Sequence, residues 1–77
     1  MNYHTQLLEE LATASQAVER AQAFAYAQSQ LAGESGRHED MLDYGSVFAA
    51  LVMARLELDY ASGPAIDIVA RGVKLDV

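Results

Sequence analysis

Apolar residues recur along the first third of the chain at Leu7, Leu11, Ala14, Val18, Ala21 and Ala25, spaced 4-3-4-3-4. This alternation marks a helix that packs along one side against another helix. No Gly or Pro falls between Met1 and Ala32, and Ala, Leu, Gln and Glu dominate, so one long unbroken helix is predicted over about residues 3–32. Asn2 or Thr5 can cap it, with Glu9 and Glu10 near its positive end. The stripe is bulky at its start and small from Ala14 onward. Ala17, Phe24 and Leu31 lie on a second face, and Leu8 and Tyr26 on a third. One neighbouring helix would not cover all three.

Gly33-Glu34-Ser35-Gly36 interrupts the pattern, with Gly33 at the expected left-handed helix end. A short loop over 33–37 sends the next helix back antiparallel. That second helix is predicted over about 38–61, with Glu39, Asp40 and Asp43 in its first turns, where the helix dipole favours them. It holds the stretch around which the chain is organised, Met41 to Tyr60, including the apolar run from Val47 to Ala54. On a helical wheel its large apolar side chains cover an arc of roughly 240°, against about 100° for an ordinary surface helix. Ala21 and Ala25 are expected to face Tyr44, Phe48 and Leu51, with Leu7 and Leu11 near Leu58 and Ala61.

Ser62-Gly63-Pro64 reads as a stop followed by a new start, because proline suits the first position of a helix. A short helix over about 64–71 and a tail over 72–77 are predicted. A strand competes for the end of the chain, since Val73-Lys74-Leu75-Asp76-Val77 alternates with period two. The expectation is an all-α single domain: a long antiparallel hairpin with a short C-terminal helix or extended tail.

Size sharpens this picture. A domain of 77 residues buries a modest share of its surface and usually needs a staple. With no cysteine, disulfides and thiolate metal sites are excluded. Self-association is the remaining common solution, most simply a homodimeric four-helix bundle. The net charge of −6 comes with only five basic residues, scattered as Arg20, Arg37, Arg55, Arg71 and Lys74. Nothing forms a basic stripe for nucleic acid or anionic lipid. No apolar run approaches the roughly 20 residues of a membrane span. Without a secretion signal or cysteine, a cytoplasmic location is expected.

Candidate chemistry is sparse. Glu34, His38, Glu39, Asp40 and Asp43 cluster near the loop, yet they read as a solvated helix start rather than a metal site. No Ser is placed with a His and an acid, and the glycines form no phosphate loop. No catalytic, cofactor or metal residue is assigned. Arg55 lies inside the apolar arc and can pair with Asp59, or with Glu10 or Glu19 of the first helix or of another subunit. Gly45, in the second helix, suggests a close backbone crossing, within the chain or with a second chain. The interface candidates are Tyr44, Gly45, Phe48, Val52, Arg55 and Leu56. The expected function is a non-enzymatic protein-interaction module, adaptor, chaperone-like or regulatory, with itself and another protein as partners. Its alternative is an acidic inhibitor of a nucleic-acid-binding protein, as phages and mobile elements encode. A third possibility is a small enzyme or metal protein with a site between subunits.

Overall fold

The computed structural model describes residues 3–75, and side chains for residues 5–72. Within them the chain forms two helices packed side by side, α1 over Tyr3–Glu34 and α2 over His38–Leu75. At 1.5 Å per residue α2 is about 57 Å long, close to the longest dimension of the molecule, 62 × 20 × 10 Å. The protein is a flat rod two helices wide and one helix thick.

The turn is set by Gly36, the one described residue with a left-handed backbone, at φ 74°. The Arg37 amide donates to the Ala32 carbonyl at 2.8 Å, and the Gly36 amide to the Gly33 carbonyl at 3.2 Å. Together these form a Schellman helix end, which satisfies carbonyls that would otherwise have no partner. The expected left-handed residue, Gly33, instead remains inside α1. A Cβ there would lie 3.0 Å from the Met41 sulfur, so Gly33 leaves room for the Met41 side chain of the second helix. The Arg37 carbonyl accepts from the Met41 amide at 3.0 Å and starts α2. Its guanidinium pairs with Asp40 at 3.2 Å.

Three cross-helix contacts fix the register. The Ser29 hydroxyl donates to the Met41 carbonyl at 3.0 Å. The Tyr26 and Phe48 rings meet at 5.8 Å, tilted by 53°. Arg55 pairs with Glu19 at 2.5 Å. Extended along the rod, this register sets Ala25 level with Phe48, Gln22 with Leu51, Ser15 with Leu58, and Leu8 with Ala65. Small residues of α1 stand against large ones of α2 near the turn, and the assignment reverses at the far end. Ala25, Ala32 and Ala65 are buried, at 3%, 0% and 2% exposure.

Two expectations are corrected along this seam. The buried line of α1 passes through Leu8, Leu11, Ser15, Val18, Gln22, Ala25, Ser29 and Ala32, so Leu7 falls outside it and is exposed. More importantly, α2 does not stop at Ser62-Gly63-Pro64; proline lies inside one continuous helix, in place of a separate 64–71 helix and a tail from residue 72. The packing line Leu58, Ser62, Ala65, Val69, Gly72 keeps its 4-3-4-3 spacing across the proline. Burial of that line against the start of α1 overrides the local stop signal. Residues 76–77 of the expected tail, and Asn2 as a cap, lie outside the described residues.

Candidate protein-interaction surface

A two-helix slab has one seam, so side chains outside that seam meet solvent. Phe24 is 63% exposed, Leu42 65%, Met53 59%, Leu56 56% and Tyr60 82%. Leu7, Tyr26, Leu31, Val47, Ile66 and Ile68 are exposed as well. These fall on the two flanks of the rod. On one flank α1 contributes Leu7, Phe24 and Leu31, and α2 contributes Val47 and Ile68, separated by Ala14, Ala17, Ala21, Ala54 and Ala61. On the other, α2 carries Leu42, Gly45, Ala49, Val52, Leu56, Gly63 and Ile66, with Met53 and Tyr60 at the margin, and α1 contributes Tyr26.

The accessible surface totals 5752 Å² for a chain of 8.3 kDa. A compact monomer of that mass exposes about 4,600 Å² by surface-area scaling. The radius of gyration, 17.7 Å, exceeds the value of about 11–12 Å for a globular domain of this length. The excess surface, about 1,200 Å², is larger than the roughly 800 Å² that one partner contributes to a stable interface of standard size.

The six interface candidates divide between the seam and its flank. Tyr44 and Phe48 are half-buried between the helices, with Phe48 against Tyr26. Arg55 binds Glu19 of its own chain, one of the two partners in α1 that its spacing suggested. Both side chains stay near half exposed, which limits such a pair to about 0–1 kcal/mol. Gly45, Val52 and Leu56 lie on the α2 flank. A Cβ at Gly45 would meet nothing within 4 Å, so the close crossing expected there does not occur within the chain. The sequence reading missed Ile66 and Gly63, because the assumed break at Pro64 separated them from this flank.

The acidic end of the rod has two open depressions among the described residues. One is lined by Ser29, Gln30, Gly33, Glu34 and Met41, and another by Arg37, His38, Glu39 and Asp40. Among the described residues no group of three His or carboxylate side chains is placed to hold a metal ion. No described helix is long and apolar enough to cross a membrane. No known protein family, characterised protein or solved structure matches this chain.

Proposed function

We propose that this protein is a non-enzymatic interaction module, adaptor, chaperone-like or regulatory in role, and that its working unit is a cytoplasmic homodimer. One observation carries the reading: large apolar side chains line both flanks of a rod in which no large side chain among the described residues is fully buried. Contiguous exposed apolar surface of this extent marks sites of protein association. A second copy covers one flank, and the remaining flank receives another protein.

The client flank is the one with Phe24, Leu31 and Val47, where alanines form a trough between large side chains. This shape suits an amphipathic helix. The chain's net charge of −6 favours a basic client, and a nucleic-acid-binding protein held inactive is the second reading. The test is affinity capture from the native host with tagged protein and with a Phe24→Glu, Leu31→Glu variant. A client retained by the first and lost by the second, with helicity unchanged, is expected. A client retained equally by both contradicts the assignment of this flank. If the captured protein is basic and loses DNA or RNA binding on addition of the dimer, the inhibitor reading is the correct one.

A further inference from the structure

We propose that the second copy packs on the α2 flank, helix against helix and antiparallel, about a two-fold axis at the level of Ala54. The proposal rests on the homodimer reading and specifies its face, direction and register. Leu42, Gly45, Ala49 and Val52, followed by Leu56, Asp59, Gly63 and Ile66, form one stripe. Its order of sizes is nearly the same in both directions: large, glycine, small, large, then large, Asp, glycine, large. A two-fold interface uses the same patch on both subunits and therefore needs such self-complementarity.

Gly45 and Gly63 stand 18 residues apart, five full turns at 3.6 residues per turn, so they lie on one line along the helix. Val52 and Leu56 lie within about 20° of that line on either side, two residues before and after the midpoint. A copy turned end for end about the midpoint places Gly45 on Gly63 at both ends of the contact. Val52 then meets Leu56 twice at the centre, and Leu42 meets Ile66. Leu42, Leu56 and Ile66 are exposed in the single chain, and nothing within 4 Å would oppose a Cβ at either glycine. Both positions would therefore accept a helix-favouring side chain in a solitary rod, where glycine only weakens the helix. A facing backbone supplies a reason for the absence of a side chain at both.

The same arrangement keeps the carboxylates apart. Asp59 of each chain stands opposite Ala49 of the other, so the two Asp59 side chains are separated by about 15 Å along the axis. Across that distance the repulsion is screened at physiological salt. The interface is thus apolar at its centre.

The cysteine-free chain allows a direct test by disulfide crosslinking. Gly45→Cys and Gly63→Cys chains, one of them tagged, are mixed, unfolded, refolded together and oxidised. The expected product is a crosslink between the two different chains. Neither variant alone should crosslink, because like positions lie about 27 Å apart along the helix, far beyond the Cα separation of about 4–7 Å that a disulfide permits. Equal crosslinking of each variant alone would overturn the antiparallel register. In parallel, Leu56→Asp should raise the dimer dissociation constant at least 100-fold, and Phe24→Asp should change it less than threefold. The reverse order would put the copy on the opposite flank, overturning this proposal while leaving the homodimer intact. A wild-type chain that stays monomeric at every concentration would remove both.

Discussion

Replacing Phe48 with Ala is expected to destabilise the protein by about 3 kcal/mol, within the range for truncating a large core side chain. Phe48 stands level with Ala25 and against the Tyr26 ring, at the part of the seam where α1 is smallest. Ala25, level with Phe48, is already buried and too small to fill the space the ring leaves. The lost ring contact with Tyr26 adds to the lost burial. Small domains hold a stability of about 5–10 kcal/mol, so such a loss removes roughly a third to over half of it. Urea unfolding followed by far-ultraviolet circular dichroism measures the change. A loss under about 1 kcal/mol would mean that the ring is not part of the folding core.

Replacing Pro64 with Ala is expected to act in the opposite direction and to stabilise by about 2 kcal/mol. Proline inside a helix costs about 3 kcal/mol relative to alanine, because it lacks an amide donor and its ring crowds the carbonyl four residues earlier. Here that carbonyl belongs to Tyr60, in the middle of a continuous α2. Part of the gain is offset, since alanine frees the unfolded chain by about 0.4–1 kcal/mol. For a domain of this size the midpoint of thermal unfolding should rise by about 8–16 °C. An unchanged or lowered midpoint would place a helix break at Gly63, with Pro64 as a favourable first residue of a separate helix. The two substitutions probe different links: Phe48 tests packing between the helices, and Pro64 tests the continuity on which the Gly45–Gly63 line depends.

Much of the fold was legible from spacing. Two long helices joined by a short return and the start of α2 at His38 follow from periodicity and turn chemistry, and the structure has them, with the connection shortened from 33–37 to 35–37. The Arg55–Glu19 pair was also within reach, because an arginine inside an apolar arc must send its guanidinium to a carboxylate or to water. What failed were local rules overridden by packing. Gly63-Pro64 is a stop signal by itself, yet Ala65, Val69 and Gly72 carry the seam beyond it. Gly33 and Gly36 both qualify as helix ends, and only the proximity of Met41 to Gly33 shows that the first is a packing glycine. Leu7 and Leu8 compete for one seam position, and a shift by a single residue turns a core side chain outward. The flank with Leu56 and Ile66 was half visible for the same reason: its second half lies past the proline.

Both the proposed function and the proposed dimer depend on apolar surface that a single hairpin leaves open. The measurement that tests this most directly is the mass of the purified protein in solution, by light scattering on a size-exclusion column at micromolar concentration. Twice the chain mass of 8.3 kDa is predicted, with dissociation on dilution accompanied by loss of helicity. A particle of one chain mass, helical and cooperatively folded across the dilution series, would contradict it.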